Sequence, residues 1–216
     1  MNIILLGAPG AGKGTQANNI VNLYNLYKIS TGDLLRDEIK NKTSLGIEIE
    51  SKLEKGSFVS DDIINNLIAK ILSNKKLNSR LLFDGYPRNI NQAKTLNALL
   101  QKYNLKLTCA LVLNVDKESI VKRILGRQIC TNCGLIFNNY FNPPNTKNHQ
   151  CDTKFLDKRS DDTEETIAKR FDTYLEKTLP VLDFYKEQDL LHQIDGLNQI
   201  DKIFEEIRGI IAPLEA

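Results

Sequence analysis

A glycine-rich loop near the N-terminus holds the first residues with an evident chemical use. Residues 7–15 read Gly-Ala-Pro-Gly-Ala-Gly-Lys-Gly-Thr and follow a short apolar run. Glycines at this spacing let consecutive backbone N–H groups point at a phosphate, while the lysine supplies a point charge for the β and γ phosphates. The sequence therefore predicts a P-loop, although its threonine stands one place later than in the general pattern. The predicted nucleotide-binding residues of this loop are Gly10, Ala11, Gly12, Lys13, Gly14 and Thr15.

Arginine is used sparingly, with eight residues against twenty-one lysines. Guanidinium groups can grip phosphate oxygens in a bidentate way that lysine cannot reproduce, so the positions that keep arginine are candidate phosphate clamps. The six candidates are Arg36, Arg88, Arg123, Arg127, Arg159 and Arg170. Arg123 and Arg127 are four residues apart and are expected to face one way at a helical end.

Three of the four cysteines fall within one polar stretch. Cys130 and Cys133 form half of a zinc knuckle, and Cys151 follows eighteen residues later. In a reducing compartment such clustering favours a structural metal over a disulfide. A tetrahedral zinc site needs four ligands. The fourth ligand is left open among His149, Asp152 and Asp157. The alternative is that this polar stretch folds without metal. The remaining cysteine, Cys109, lies in an apolar run and is expected to be buried.

Alternating apolar runs and helical patterns must position these residues. Buried strands are predicted at residues 2–6, 81–83, 108–115 and 190–194. Helices are predicted at residues 13–24, 91–103, 117–125, 163–188 and 197–211. Pro180 is expected to bend or break the long helix, and Asp162 with Glu165 resembles a capping box at its start. This alternation predicts an α/β fold with a mostly parallel sheet.

Two stretches interrupt the alternation and are predicted to be inserts. Residues 30–59 suggest short helices without a strand, and residues 127–161 are polar and rich in Asn, Pro, Lys and Cys. The predicted organisation is a core of residues 1–29, 60–125 and 163–216 with two inserts, one of residues 30–59 and one of residues 126–162. The net charge of +2 argues against bulk nucleic-acid binding. No apolar run reaches the roughly 20 residues of a membrane span, and the first residues lack a basic leader, so a cytoplasmic protein is expected.

Three further motifs resemble those of nucleoside monophosphate kinases. They are Ser-Thr-Gly-Asp-Leu-Leu-Arg at residues 30–36, Asp-Gly-Tyr-Pro-Arg at residues 84–88 with Gln92 four places on, and Arg-Ser-Asp-Asp at residues 159–162 followed by Glu-Glu-Thr at 164–166 and Arg170. With the P-loop they cover nearly the whole chain. Within that family the sequence is most similar to the long-lid adenylate kinases, whose lids usually place a fourth metal ligand where Lys154 stands here.

The resemblance implies a three-layer P-loop core with two small inserts. Residues 30–59 would form an acceptor segment that binds the nucleoside monophosphate, and residues 126–162 would form a lid segment. The implied reaction is ATP + AMP to two ADP with Mg²⁺. Catalytic roles would fall to Lys13, Arg88, Arg127, Arg159 and Arg170. ATP would also meet Arg123, Ile136, Phe137 and Asn198. AMP would meet Thr31, Arg36, Ser57, Phe58, Val59, Gly85, Tyr86, Pro87, Arg88, Gln92, Arg159 and Arg170. Asp33 and Asp84 would hold Mg²⁺ through water, zinc would bind Cys130, Cys133 and Cys151, and the enzyme would be a monomer.

Other functions stay open on the sequence alone. A related kinase could use GTP as donor or UMP or CMP as acceptor. A P-loop switch or motor NTPase has no use for the two acceptor motifs. A zinc-ribbon module that binds nucleic acid fits poorly with three clustered cysteines and near-neutral charge.

Overall fold

The computed structural model describes residues 1–54, 59–74 and 80–215. Within these ranges five strands form one parallel sheet in the order β2-β3-β1-β4-β8, and three short strands form a second, antiparallel sheet in the order β6-β5-β7. The main sheet comprises β1 (Asn2–Gly7), β2 (Tyr27–Ser30), β3 (Leu81–Asp84), β4 (Cys109–Asn114) and β8 (Leu191–Asp195). The small sheet comprises β5 (Arg127–Cys130), β6 (Ile136–Asn138) and β7 (Leu156–Asp157).

Helices cover both faces of the main sheet, which makes the three-layer α/β core that the sequence predicts. They are α1 (Lys13–Tyr24), α2 (Thr31–Lys40), α3 (Ser44–Glu54), α4 (Asp61–Leu72), α5 (Ile90–Lys102), α6 (Lys117–Leu125), α7 (Glu164–Thr173), α8 (Leu179–Lys186) and α9 (Ile200–Ile211). Alternate residues of β1 enter two separate hydrophobic clusters: Ile4 joins the one that contains α4, α5 and α8, and Ile3 joins the one that contains α1 and α9. Strands buried on both faces in this way read as continuous apolar runs, which is why the sequence reveals them.

The strand β2 and the helix α4 were not predicted from the sequence. Only Ile29 of β2 is buried, because this strand lies at the sheet edge and carries Lys28 and Ser30 on its other face. A short edge strand with one apolar residue gives no periodic signal. The other four strands of the main sheet match their predictions to within one residue at each end, whereas the three strands of the small sheet were not predicted.

The helical stretch predicted over residues 163–188, with a bend or break at Pro180, is interrupted in the structure. It is divided into α7, a π-helical turn at Tyr174–Thr178, and α8. Pro180 lies in the first turn of α8, where its missing N–H removes no helical hydrogen bond. The proline therefore marks a change in helical hydrogen bonding, as expected.

The predicted capping box at Asp162 and Glu165 is wrong by one residue. Thr163 caps α7, and its hydroxyl accepts a hydrogen bond from the Thr166 backbone N–H. In return, the Thr166 hydroxyl accepts from the Thr163 backbone N–H. Asp162 is unavailable because its carboxylate binds Arg127. Arg127 lies in β5, beyond the end of α6 at Leu125, so the prediction that it shares a helical end with Arg123 is corrected as well.

The two predicted inserts differ in construction. Residues 30–59 contain α2 and α3, as the sequence suggests, while the small antiparallel sheet lies within residues 126–162. Ser57 and Phe58 lie outside the described residues. Across the described ranges, no helix combines the length and the apolar character that crossing a membrane requires.

Candidate functional site

A cleft of about 400 Å³ opens at the carboxyl ends of the main strands. This is the edge at which parallel α/β sheets bind their ligands. Among the described residues, eight cationic side chains line the cleft against three carboxylates. The cations are Lys13, Lys28, Arg36, Arg88, Arg123, Arg127, Arg159 and Arg170, and the carboxylates are Asp33, Asp84 and Asp161. Such an excess of positive charge in a concave site favours a polyanion.

The glycine-rich loop joins β1 to α1 at the floor of the cleft. Gly10 and Gly12 have positive φ angles of 81° and 97°, a conformation that residues with a Cβ rarely adopt. A Cβ on Gly10 would lie 2.7 Å from the Ile124 side chain, and one on Gly14 would lie 2.8 Å from Ile136 of the lid segment. Glycine at position 14 therefore lets the lid segment approach the start of α1, where the helix dipole favours negative charge.

Lys13 is held by the loop that contains it. Its Nζ donates to the carbonyl oxygens of Gly7, at 2.7 Å, and Ala8, at 2.8 Å. Burial lowers the pKa of Lys13 to about 8, and Asp84 opposes this shift while neighbouring arginines add to it. An entering phosphate would supply the negative charge that this buried ammonium lacks.

The lid segment and α7 supply three arginines to the cleft, and each of them lies close to an aspartate. Arg127 Nε donates to Asp162 at 2.8 Å, and Arg170 Nη2 lies 3.0 Å from Asp161. Arg159 reaches across the cleft to Asp33, with Nη2 3.7 Å from Oδ1. Burial lowers the pKa of Arg159 to about 10, and its Nε is buried without a hydrogen-bond partner among the described residues. These groups form a pre-positioned, partly unsatisfied set of phosphate donors.

The other predicted acceptor residues that the structure describes fall into a group that lines the cleft and a group that is buried beside it. Gly85, Pro87, Arg88 and Arg36 line the cleft, and Arg88 Nε donates to the Gly85 carbonyl at 2.7 Å. Burial lowers the pKa of Arg88 to about 10. The buried group consists of Thr31, Val59, Tyr86 and Gln92.

Hydrogen bonds explain the positions of the buried group. The Thr31 hydroxyl donates to the Gly85 carbonyl at 2.9 Å, and Tyr86 donates to Asn65 at 2.7 Å. Gln92 accepts from the Arg88 backbone N–H and donates to Asp61, both at 2.7 Å. Both ends of the Gln92 amide are therefore engaged within the protein.

The other arm of the cleft is built around Arg123. Its guanidinium donates to the Ala11 carbonyl at 3.1 Å and to the Gly196 carbonyl at 2.7 Å, and it lies 5.6 Å from the centre of the Phe141 ring. The predicted residues Ile136, Phe137 and Asn198 line the same arm. The sequence reasoning missed Phe141 and Lys28, and no signal pointed to Lys28 because its strand, β2, was itself not predicted.

The cysteine cluster lies in the lid segment and has a fourth member. The ligand atoms of Cys130, Cys133, His149 and Cys151 are all within 4.8 Å of one another. His149 is buried against the Phe137 ring, and its Nε2 has no hydrogen-bond partner among the described residues. Burial works to raise the pKa of Cys130, but hydrogen bonds from the Cys133 backbone and the His149 side chain outweigh it and lower that pKa to about 6. Three thiols and a buried imidazole with one ring nitrogen still unpaired form a donor set that suits zinc.

The remaining candidates for the fourth ligand are used elsewhere. Asp152 accepts from the Lys154 backbone N–H and lies 3.4 Å from the Lys154 ammonium, and Asp157 accepts from the Lys158 backbone N–H. Both carboxylates stabilise local turns. His149 is therefore the fourth member that the geometry provides.

Comparison with known proteins gives a consistent result. The family model described as adenylate kinase matches residues 5–190. Among the similar proteins, an adenylate kinase of Pelagibacter ubique (strain HTCC1062) is 47% identical over 211 residues, which is 98% of this chain and 99% of the relative. Adenylate kinases of Clostridium botulinum (strain Eklund 17B) and Enterococcus faecalis (strain ATCC 700802) are 43% and 39% identical, over 96% and 98% of this chain and 97% and 99% of their own lengths.

Proposed function

Because the chain belongs to the adenylate kinase family, we propose that the residues of its cationic cleft divide between an ATP arm, an AMP arm and a phosphoryl-transfer centre. The enzyme is a phosphotransferase that moves a phosphoryl group between ATP and AMP and gives two ADP. The observation that carries the residue assignment is the convergence of eight cations on one cleft between two arms. Phosphoryl transfer needs alignment and charge neutralisation more than covalent chemistry.

The P-loop holds the phosphates of ATP. Backbone N–H groups of residues 10–15 and the positive end of α1 receive the β phosphate. Lys13 exchanges its hydrogen bonds to the Gly7 and Ala8 carbonyl oxygens for hydrogen bonds to phosphate oxygens. The phosphate then supplies a negative charge next to the buried ammonium.

The arginines complete the transfer centre. Arg88 and Arg36 grip the AMP phosphate, supported by the bond from Arg88 Nε to Gly85. Arg127, Arg159 and Arg170 stabilise the charge that spreads over the transferring group, since their guanidiniums already face the cleft. Their aspartate partners keep them oriented before the nucleotides arrive.

The two bases occupy opposite arms. Arg123, Ile136, Phe137 and Asn198 surround the adenine of ATP, where the Arg123 guanidinium can stack on the base. The acceptor segment with Val59 and Gln92 serves the adenine of AMP, and Gln92 exchanges one of its internal bonds for the base edge. Thr31 and Tyr86 stabilise the structure of this arm through their hydrogen bonds to Gly85 and Asn65.

The lid segment and the acceptor segment act as mobile lobes over the core of residues 1–29, 60–125 and 163–216. The contact between Arg159 and Asp33 joins the two lobes across the cleft. Their closure excludes water, which suppresses hydrolysis of ATP.

Two metal ions belong to this proposal. Mg²⁺ bound with ATP would offset charge on the phosphate oxygens; Asp84, at the carboxyl end of β3, and Asp33 fit as partners of its bound waters. Zinc would be held by Cys130, Cys133, His149 and Cys151, and it would join the connection between β5 and β6 to the segment that precedes β7. Its role is structural, since all four ligand positions are protein side chains.

We place the enzyme in the cytoplasm as a monomer, without nucleic-acid or membrane partners. Four cysteines without a disulfide, three of them in the proposed metal site, suit a reducing compartment. One polypeptide contributes both arms of the cleft, so one chain supplies every group that the reaction uses.

The substitution Arg88→Lys tests the assignment. Lysine keeps the charge but loses the bidentate grip and the bond to Gly85, so kcat/KM for AMP should fall about 10²-fold. Arg208→Lys, on the exposed face of α9, is the matched control and should leave the rate unchanged. A coupled assay of ADP formation measures both. Equal rates for the two variants would remove Arg88 from the transfer centre.

A further inference from the structure

Lys28 is a cleft residue to which the proposed function gives no task. It lies on β2 with its side chain 22% exposed and lines the cleft floor. Its neighbour Ile29 points into the hydrophobic cluster on the opposite face of the sheet. Lys28 therefore faces the nucleotide side of the sheet, where a lysine contributes nothing to the core.

The ammonium of Lys28 lies between the two carboxylates that are the proposed partners of magnesium-bound water. Its Nζ is 3.7 Å from Asp33 and 4.0 Å from Asp84, and it donates to Asn18 on α1 at 3.2 Å. Asp84 is 89% shielded from solvent in this arrangement, with its side chain 11% exposed. These groups come from α1, α2 and β3, the elements that surround the end of the lysine side chain.

The distances show that the lysine is shared and weakly held. Charge-assisted hydrogen bonds between ammonium and carboxylate are close to 2.8 Å, and both carboxylate contacts of Lys28 are longer. Asp33 has a tighter partner in Arg36. Lys28 thus acts as a diffuse counter-ion in a place where a hydrated divalent cation would make the same electrostatic contacts.

We propose that Lys28 is the resident counter-ion of Asp33 and Asp84, and that it sets the magnesium dependence of nucleotide binding because it competes with the hydrated metal. This inference rests on the proposed roles of the two carboxylates. The ammonium offsets their charge while the site holds no metal, and it favours a metal-free polyphosphate over the magnesium complex. Removal of this charge leaves Asp33 and Asp84 with more uncompensated negative charge. The affinity for the magnesium complex of the nucleotide therefore rises, and the affinity for the metal-free nucleotide falls.

The test compares two affinities of the same variant. A non-hydrolysable ATP analogue is titrated into the full chain by calorimetry, once with excess Mg²⁺ and once with EDTA. The ratio of the two affinities measures the coupling between metal and nucleotide. We expect Lys28→Gln to raise this ratio by about two- to fivefold, the range of partly exposed ion pairs, and Lys28→Met to raise it similarly.

Two matched variants separate charge from structure. Lys28→Arg keeps the charge and should retain the ratio of the unmodified enzyme. Lys122→Gln removes an exposed lysine whose partner, Glu118, lies on the same helix, and should also change nothing. A gain in preference for Mg²⁺ cannot arise from a partly unfolded protein, and thermal unfolding of each variant checks its integrity.

Each outcome bears on the inference. An unchanged or lower ratio in both charge-free variants would overturn it, and an equal loss of both affinities would make Lys28 a phosphate ligand instead. Asp84→Asn tests the underlying assignment separately, since it should reduce the ratio in the otherwise unmodified chain. If Asp84→Asn has no effect, the proposed magnesium role fails; if it has its effect and Lys28→Gln does not, only the role of Lys28 fails.

Discussion

The phosphate cleft gathers residues from most of the chain, and the cysteine cluster uses residues 130–151 of the lid segment alone; the two regions also differ in what their groups can still bind. In the cleft, cations outnumber carboxylates and face an open space. In the cluster, three sulfur atoms and one imidazole converge within 4.8 Å of one another and leave no room for a substrate. Cations that outnumber their carboxylate partners can bind and stabilise an incoming anion. Ligand atoms that converge on one point can instead hold a metal ion that stabilises the local fold.

This contrast makes distinct predictions for the two regions, and the largest effect belongs to the P-loop. Lys13→Met removes the point charge at the phosphates but keeps the length of the side chain. We expect kcat to fall by at least about 10³-fold, measured by coupled ADP formation, while the thermal unfolding midpoint stays within a few degrees. The midpoint is preserved because a buried, desolvated ammonium contributes little to stability. Retained turnover would show that Lys13 has no part in phosphate binding.

The cluster should respond in the opposite sense. His149→Ala removes one of four ligands, so zinc affinity should fall by about 10²-fold or more, as measured by competition with a chromogenic chelator. The unfolding midpoint of the zinc-loaded protein should fall, and the activity below that temperature should remain at least tenfold above that of Lys13→Met. Asp152→Asn, at a neighbouring exposed carboxylate, is the control and should retain zinc. Equal zinc affinity in both variants would exclude His149 as a ligand.

The sequence was sufficient for the core of the molecule because buried parallel strands and a P-loop carry strong local signals. The strand β1 was predicted from an apolar run, and the helix α1 was predicted from the pattern after the glycine-rich loop. Gly7, Gly10 and Gly12 between the two elements have positive φ angles in the structure. The family membership and the α/β class were predicted correctly for the same reason. By contrast, β2 was missed, because a strand at a sheet edge with a single buried residue has no periodicity to detect.

The contacts of the site were harder to predict. The order of the ligands in the cysteine cluster left the fourth position open, because His149 precedes Cys151 and only folding brings its imidazole to the thiols. The capping box failed because Asp162 is engaged by Arg127, a residue thirty-five positions away. Both cases depend on long-range pairing, which one sequence does not encode in its spacing.

The central claim is that the cleft transfers a phosphoryl group from ATP·Mg²⁺ to AMP. The most direct measurement offers the enzyme AMP, GMP, CMP and UMP separately with ATP·Mg²⁺, and resolves the nucleotides by chromatography. We expect ADP as the only product and a strong preference for AMP, with little hydrolysis of ATP when no acceptor is present. Preference for another monophosphate would contradict the assigned acceptor, and hydrolysis that is independent of any acceptor would contradict the transferase.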